Sequence, residues 1–233
     1  MTPSPEIPYS LVIPAYNEEK RITRLFGAIP GFSGELIVVC DGTDRTADVV
    51  ESVARERTDL NIRYLRFDHR LGKGGGVLAG LSAATAPRVG YFDADGSTSI
   101  KEMLRLFAML DSADAAIGSR WVPGSNLVIR QGLLRRLESR VFNLLIRVLF
   151  GLSFHDTQCG AKVFRRSSIE SLLPRMKSRG FEFDVELLWR IRNAGCTIAE
   201  VPIEWQNMGD SRVQKRDMIR MLRGLFATRF NPD

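Results

Sequence analysis

Two aspartates one residue apart, Asp93 and Asp95, end an apolar run in the stretch "YFDADGST" at 91–98. In an extended strand residues i and i+2 point to the same side, so one cation can contact both carboxylates. Oxygen ligands of this kind suit a hard divalent ion, and we therefore predict Mg²⁺ or Mn²⁺ rather than zinc. The competing interpretation is that the two side chains cap the following turn, which is the commoner role of such a pair standing alone.

A second chemical signal is a lysine in a run of glycines, "RLGKGGG" at 70–76. An ordinary P-loop is excluded, because the first glycine of G-x-x-x-x-G-K-[ST] is missing and Gly74 stands where that motif has Ser or Thr. Lys73 and the glycine amides, at the start of a helix, would still suit the anionic part of a nucleotide. A flexible turn with a lysine at the helix start explains the stretch equally well.

The elements that must position these residues alternate between short β-rich runs and helical repeats. This alternation predicts an α/β fold with a mostly parallel central sheet flanked by helices. The predicted strands are "YSLVIPAY", "ELIVVCD", "NIRYLRFD", "RVGYFDAD" and "AAIGSRW". The predicted helices between them are "EEKRITRLFGAI", "RTADVVESVARERT", "GGVLAGLSAAT" and "SIKEMLRLFAMLD". No G-x-G-x-x-G follows the first strand, so the dinucleotide-binding signature is absent.

Polar residues gather where these strands end. In open parallel sheets, ligands bind beyond the carboxyl ends of the strands. We therefore expect one rim of the sheet to form the binding site, along which lie Asn17, Glu18, Asp41, Asp68, Asp93 and Asp95.

Length and the lack of a Pro/Gly-rich linker predict a single domain over residues 1–233. Its regular half is 1–121. In 122–210 the alternation gives way to a basic helical stretch "GLLRRLESRVFNLLIRVLF", a loop "SFHDTQCGAK", a helix ending "LLWRIRNAG" and a strand "TIAEVPIEW". Residues 211–233 form a basic amphipathic tail.

Charge and apolar content limit the partners and the location. A formal charge of +6 and a pI near 9.5 indicate an anionic partner, such as a nucleotide, a nucleic acid or an acidic membrane face. Three widely spaced cysteines without C-x-x-C predict reduced thiols in a cytoplasmic protein. We find no signal-peptide pattern, and the longest apolar run, "VFNLLIRVLFGL", is too short to span a bilayer, which predicts no transmembrane segment.

Taken together, the motifs resemble those of family 2 glycosyltransferases with the GT-A fold, a Rossmann-like nucleotide-sugar-binding fold. The resemblance rests on "SLVIPAYNEE", "VVCDGTDRT", "GKGGGV", "YFDADGS" and "AAIGSRW", in that order and spacing. In the second half, "RRLESRVFN", "FHDTQCGAKVFRR" and "GFEFDVELLWRIRNAG" resemble the dolichyl-phosphate sugar synthases. The "DTQCG" loop is most similar to the dolichyl-phosphate glucosyltransferase branch.

This resemblance implies a role for each matching position. In the half 1–121, the implied nucleotide-sugar site consists of Pro14, Ala15, Tyr16, Glu18, Asp41, Lys73, Gly74, Asp93, Ala94 and Asp95, with Asp93 and Asp95 as the metal ligands. The implied acceptor or phosphate contacts are Arg120, Arg135, Ser139, Asp156, Gln158 and Arg212. The implied catalytic residues are Asp95, Arg120 and Asp184.

The implied reaction is the inverting, metal-dependent transfer of a hexose, glucose from UDP-glucose, to dolichyl or polyprenyl phosphate. A lipid monophosphate with a second pKa of about 6 is mostly dianionic near neutral pH, so its oxygen can attack without a general base. A lipid acceptor also requires a membrane surface. Both "VFNLLIRVLFGL" and the tail "RVQKRDMIRMLRGLFATRF" suit peripheral attachment to the cytoplasmic face, although packing on the core or a dimer contact explains them as well.

Other functions stay open. A mannose synthase would use GDP-mannose, and a transferase with a non-lipid hydroxyl acceptor would need a working base, for which Asp184 is the candidate. A module that binds nucleotide sugar or anionic lipid without turnover is the non-enzymatic alternative. Nucleic acid is excluded as a partner because a carboxylate rim would repel its phosphates. A processive polysaccharide synthase is disfavoured because Q-x-x-R-W is absent.

Overall fold

The first half of the chain alternates strands and helices, as its pattern predicts. The computed structural model describes residues 7–127, 133–206 and 215–230. The strands of this half are β1 (Tyr9–Ala15), β2 (Phe32–Cys40), β3 (Leu60–Arg66), β4 (Arg88–Phe92) and β5 (Ala115–Ser119). The helices are α1 (Glu19–Ala28), α2 (Thr46–Glu56), α3 (Gly72–Ala83) and α4 (Ile100–Met109). All nine predicted elements are confirmed, and no boundary moves by more than three residues: β2 begins at Phe32 rather than Glu35, β4 ends at Phe92 rather than Asp95, and α3 begins at Gly72 rather than Gly75.

The second half adds shorter elements. They are β6 (Asn126–Leu127), α5 (Leu133–Phe150), β7 (Ala161–Arg165), α6 (Arg166–Ile169), a 3₁₀ turn (Leu173–Arg175), α7 (Phe183–Asn193), β8 (Ile198–Pro202), β9 (Glu204–Trp205) and α8 (Lys215–Phe230). The predicted strand "TIAEVPIEW" is divided into β8 and β9. No helix within the described ranges is long and apolar enough to cross a membrane.

One seven-stranded sheet unites the two halves in the order β3-β2-β1-β4-β7-β5-β8. Successive side chains of β1 point to opposite faces of the sheet and enter two cores. Leu11 and Ile13 pack with apolar residues of α1, α2 and α4, whereas Val12 packs with those of α3 and α7. Helices therefore cover both faces of the sheet, which explains why its central strands are almost continuously apolar.

The strand β7 is not among the predicted elements, and the structure places Ala161 and Lys162 in this strand rather than in a loop. β7 runs antiparallel between β4 and β5. It consists of five residues that directly follow a polar loop, so neither length nor alternation identifies it. Its position has a chemical consequence, because the start of an antiparallel strand lies at the edge where its parallel neighbours end. The segment before Ala161 therefore joins the ends of β1, β4 and β5 on one rim.

Candidate active site

The turn after β4 carries the two predicted metal ligands. Asp93 and Asp95 are both half-buried. Asp93 Oδ1 forms an ion pair with Lys73 Nζ at a distance of 2.9 Å. Asp95 Oδ1 accepts a hydrogen bond of 2.9 Å from the backbone N–H of Ser97. The carboxylates are thus held at the strand end by α3 on one side and by their own turn on the other.

These residues fit a divalent cation only as a partial ligand set. Within the described part of the chain, no group of three or more His, Cys, Asp or Glu side chains is arranged to hold a metal ion. Asp93 and Asp95 supply oxygen donors of the type that Mg²⁺ and Mn²⁺ prefer. An ion held by two carboxylates needs further oxygens from water or from a bound phosphate group, which is usual for Mg²⁺.

Lys73 is a fixed positive charge at this rim. Burial by itself disfavours its charged form, but Asp93, Asp184 and Asp95 act together in the opposite direction and raise the pKa of Lys73 above its ordinary value. Its ammonium group also lies 5.8 Å from the centre of the Phe181 ring. Lys73 therefore stays protonated throughout the neutral range.

The glycine amides around Lys73 do not form the anion cradle that the sequence suggested. Gly74 N–H donates to the carbonyl of Gly180 at 3.2 Å, and Gly75 N–H donates to the carbonyl of Arg179 at 3.1 Å. Gly72 N–H donates to Asp41 Oδ2. These three amides thus have acceptors within the protein, and a nucleotide contact by Gly74 stays a prediction.

Gly74 also has a packing role. A β-carbon at this position would lie 2.6 Å from the β-carbon of Phe183, the first residue of α7. The glycine thus allows α3 to approach the start of α7 closely. This contact joins the first turn of α3, which carries Lys73, to the second half of the chain.

The end of β1 is organised around Tyr16 and the two residues that follow it. The guanidinium carbon of Arg70 lies 4.2 Å from the centre of the Tyr16 ring, a cation–π distance. Asn17, in the left-handed region with φ 55°, accepts hydrogen bonds from the amides of Thr43 and Asp44. Pro14 is half-buried and Ala15 is buried in the preceding strand.

Glu18 and Asp41 are buried carboxylates that hold neighbouring segments of the rim. Glu18 binds Arg21 through both oxygens, at 2.6 Å and 2.8 Å. Asp41 accepts hydrogen bonds from the amides of Leu71 and Gly72 at 2.8 Å and 3.2 Å. Burial raises the pKa of Asp41, and these amides oppose the increase. In this structure both side chains have protein partners, and a direct nucleotide contact by either remains a prediction.

Arg120 follows β5 and forms a two-point pair with Asp156. Arg120 Nε donates to Asp156 Oδ2 at 2.7 Å, and Nη2 donates to Oδ1 at 2.9 Å. The backbone N–H of Arg120 also donates to Asp156, and the Trp205 ring lies 5.3 Å from its guanidinium carbon. Asp156 is 0% exposed and orients Arg120, and its predicted contact with the acceptor stays a prediction. Its backbone N–H is in turn held by Glu200 on β8.

Asp184 occupies a buried ion pair that the sequence did not reveal. Its side chain is 2% exposed, and Oδ1 accepts from Lys162 Nζ at 2.6 Å and from the Tyr91 hydroxyl. A carboxylate in these surroundings supports the neighbours that it pairs with, and the predicted catalytic role of Asp184 stays a prediction. Lys162 stands between alanine and valine in an apolar run. The sequence alone does not show which acidic residue such a lysine pairs with.

The loop before β7 touches both sides of the rim. Gln158 Nε2 donates to the carbonyl of Phe181 at 3.2 Å, so this predicted acceptor contact also has a protein partner. Gly160 lies against Asp93. Ala94 is buried between the two aspartates.

Three predicted acceptor residues lie wholly or partly outside the described residues. Arg212 lies outside the described residues. Arg135 and Ser139 fall on α5, whose backbone is described there, but their side chains lie outside the described residues. Their assignment to the acceptor phosphate remains a prediction.

Comparison with known proteins identifies similar sequences. The sequence profile for Glycosyl transferase family 2 matches residues 10–173. Dolichyl-phosphate beta-glucosyltransferase ALG5C of Trichomonas vaginalis is 33% identical over 235 residues, covering 93% of this chain and 69% of that protein. Polyprenol monophosphomannose synthase of Mycolicibacterium smegmatis is 34% identical over 204 residues, covering 83% and 75%. Glycosyltransferase AglD of Haloferax volcanii is 34% identical over 227 residues, but the chain spans only 35% of its length.

Solved structures show the same fold. Glucosyl-3-phosphoglycerate synthase from Mycobacterium tuberculosis gives a TM-score of 0.69 at 20% identity, covering 95% of this chain and 79% of that chain. TarS 1–349 of S. aureus gives a TM-score of 0.62 at 19% identity, covering 94% and 64%. The predicted GT-A fold is thereby confirmed.

Proposed function

Because the chain belongs to glycosyltransferase family 2, we propose that it transfers a hexose from a nucleotide sugar to a polyprenyl or dolichyl phosphate. The relatives that support this acceptor are named dolichyl-phosphate glucosyltransferases and a polyprenol monophosphomannose synthase. We propose glucose from UDP-glucose as the donor, since several relatives carry the glucosyltransferase name. GDP-mannose is the alternative, and the mycobacterial relative favours it.

The observation that carries the proposal is the arrangement of opposite charges along one rim. Asp93 and Asp95 offer oxygens for a cation, while Lys73 and Arg120 are positive groups held beside them. A sugar transferred between a nucleoside diphosphate and a lipid phosphate brings two anionic groups to one carbon atom. Fixed cations on both sides of that carbon are what such a reaction requires.

The divalent ion would be held by Asp93 and Asp95 together with the diphosphate of the donor. When bound, Mg²⁺ or Mn²⁺ would supply Lewis-acid stabilisation of the departing nucleoside diphosphate. A crystal structure of the M. tuberculosis synthase contains Mn²⁺ together with UDP, which supports a divalent cofactor for a protein of this fold.

The protein groups would divide the remaining work between the two phosphates. Lys73 would donate hydrogen bonds to the diphosphate, where negative charge develops as the bond to the sugar breaks. Arg120, oriented by Asp156, would bind the acceptor phosphate and align one oxygen with the anomeric carbon. Direct displacement inverts that carbon, so an α-linked donor gives a β-linked lipid-phosphate sugar.

The pairing of Asp184 favours a phosphate acceptor over a hydroxyl acceptor. A hydroxyl would have to lose its proton to a nearby base, whereas the dianion of a phosphate monoester is already nucleophilic above its second pKa of about 6. Asp184 is committed to Lys162 and Tyr91. A phosphate acceptor therefore makes the fewest demands on this site.

Two adjacent helices provide a surface suited to peripheral attachment at the cytoplasmic membrane face. On α5, Leu144 and Val148 are exposed, and Val148 is 75% exposed. On α8, Phe226 and Phe230 are exposed, and their rings stack with centroids 6.2 Å apart. Arg229 Nε donates to the carbonyl of Leu149, so the helices are in direct contact.

Basic residues accompany these exposed side chains, which favours an anionic lipid surface. Arg223 lies three residues before Phe226, and Phe230 lies four residues after Phe226. The three side chains therefore form one stripe along α8. Large apolar side chains beside arginines are typical of helices that lie in a membrane interface. We propose that this stripe brings the rim to its lipid substrate.

The experiment that tests the proposal is transfer of labelled sugar into lipid. Purified protein is incubated with polyprenyl phosphate in detergent, with Mg²⁺ or Mn²⁺, and with radiolabelled UDP-glucose or GDP-mannose in parallel. We expect label in the organic phase from UDP-glucose alone, and none after addition of a chelator. Label from GDP-mannose would change the sugar and keep the reaction. No lipid label from either donor, despite nucleotide-sugar binding, would support the binding module.

A further inference from the structure

A lysine without any solvent exposure lies between the two sides of the rim. Lys162 is 0% exposed, and its ammonium group makes two contacts: one with Asp184 Oδ1 at 2.6 Å and one with the carbonyl of Cys159 at 2.5 Å. The Tyr91 hydroxyl donates to the same Asp184 oxygen. A buried ammonium group without such partners would cost several kcal/mol, so the three contacts belong together.

The network joins three separate elements. Tyr91 is on β4, Lys162 is on β7 and Asp184 is in the first turn of α7. Tyr91 and Lys162 are direct partners in the antiparallel register, and the ammonium group lies 5.5 Å from the centre of the Tyr91 ring. The strand that precedes Asp93 is therefore tied to the start of α7 by the Tyr91 hydroxyl, and β7 is tied to the same carboxylate by the Lys162 ammonium group.

The same lysine fixes the end of the loop that precedes β7. Its contact with the Cys159 carbonyl holds the residue immediately before Gly160. A β-carbon on Gly160 would lie only 1.9 Å from Asp93 Oδ2, so the loop backbone lies against that carboxylate. The same loop also contains Asp156, which holds Arg120. The position of this loop therefore relates Asp93 to Arg120.

Stability alone does not require a charged residue at position 162. Replacing a buried ion pair by apolar side chains of similar volume is often neutral or stabilising, because desolvation of both charges is avoided. What an ion pair adds over apolar contacts is direction: Lys162 aims donors at one carboxylate oxygen and one carbonyl oxygen. Directed contacts of this kind set the positions of the groups that they support.

We propose that Lys162 is a positioning residue of the transfer reaction: by holding Cys159 against Asp184 it sets the distance between Asp93 and Arg120. This inference rests on the proposed function, in which those two residues contact the donor and the acceptor. Lys162 itself touches neither substrate.

The test compares Lys162→Met, Asp184→Asn and the double variant. Each single variant leaves one buried partner uncompensated and should lower Tm, whereas the double variant removes both charges and should recover most of that loss. The rate of sugar transfer by the double variant should not recover together with its Tm. We expect kcat of the double variant to stay about 10- to 100-fold below wild type at saturating substrates, because small displacements of reacting groups have effects of this size.

Glu35→Gln is the matched control. Glu35 is a buried carboxylate near the start of β2, where it accepts hydrogen bonds from Ser10 and Thr85 at the edge of the sheet opposite the rim. Its replacement should lower Tm and leave kcat unchanged. This control separates loss of stability from loss of positioning.

The inference is overturned if kcat of the double variant returns to the wild-type value together with Tm, since Lys162 would then be structural only. If wild type transfers neither sugar, the proposed function fails, and binding of UDP with Mn²⁺ becomes the readout. Displacement of Asp93 should then weaken that binding about tenfold in the double variant. Unchanged binding would overturn the inference as well.

Discussion

The backbone of Gly160 lies directly against the carboxylate of Asp93. A β-carbon added to this glycine would fall 1.9 Å from Asp93 Oδ2 and 2.3 Å from its Cγ, distances that no packed atoms tolerate. Gly160, in the loop before β7, thus limits where Asp93, the proposed metal ligand after the neighbouring strand β4, can lie. Because β7 is antiparallel to β4, this contact joins segments that are 67 positions apart in the chain.

Gly160→Ala should therefore impair the site without unfolding the protein. The added methyl group has to push Asp93 or the loop aside, and we expect binding of Mn²⁺ with UDP to weaken about tenfold. Titration calorimetry measures this affinity. Gly27→Ala is the matched control, because nothing lies within 4 Å of a β-carbon there. Gly27 is in α1, so alanine should stabilise the helix by about 0.5–1 kcal/mol and leave binding unchanged.

Asp95→Ala should abolish transfer and keep the fold. Asp95 is half-buried, and the hydrogen bond it accepts comes from its own turn, so its loss removes a proposed metal ligand at little structural cost. The measurement is lipid-extractable label together with a thermal melt. Asp111→Ala, which removes an exposed carboxylate paired with Arg88, should change neither. Full transfer by Asp95→Ala would exclude the metal role.

Arg120→Lys should lower activity strongly even though the charge is kept. A lysine cannot reproduce the two-point contact of the guanidinium group with Asp156, so the positive group loses its fixed direction. We expect kcat/KM for the acceptor phosphate to fall about 100-fold, while KM for the donor changes little. An equal effect on both substrates would indicate that Arg120 serves the whole rim rather than the acceptor.

Glu182→Gln should stabilise the protein near neutral pH. Burial, followed by the charges of Glu186 and Asp184, raises the pKa of Glu182, while the amide of Gly180 opposes the increase. The folded protein therefore holds this proton more tightly than the unfolded chain. Stability falls as the pH rises from the ordinary pKa of 4.5 through the raised value. Melts of wild type and variant across this range should differ most on the alkaline side, and parallel curves would contradict the assignment.

The surface formed by Leu144 and Val148 of α5 with Phe226 and Phe230 of α8 should direct binding to anionic vesicles. Phe226→Ser with Phe230→Ser removes two exposed aromatic side chains from one stripe, and we expect the vesicle-bound fraction to fall about tenfold in a flotation assay. Leu104→Ser is the control, since it removes an exposed apolar side chain on α4. Unchanged flotation accompanied by loss of self-association would assign the surface to a dimer contact.

The regular half of the fold follows from local sequence pattern. The strands β1 and β2 are runs of apolar residues bounded by polar ends, and α1, α2 and α4 repeat apolar residues at three and four, so local pattern alone locates them. It also located the rim, because residues that follow parallel strands must meet at one edge. Asp93 and Asp95 could therefore be assigned to the site, with Lys73 beside them, before any contact was known.

The contacts that those groups make depend instead on long-range packing. Asp156 proved to hold Arg120, and the Gly74 amide proved to be satisfied by the Gly180 carbonyl; neither pairing leaves a local pattern, since the partners are 36 and 106 positions apart. Lys162 shows most clearly why local pattern does not reveal such pairings. In sequence it is one charged residue in a short apolar run, and its meaning depends on Asp184 and Tyr91, which long-range strand pairing and helix packing bring together. Periodicity reports which face of an element is buried, whereas the partner of a buried charge is fixed by topology.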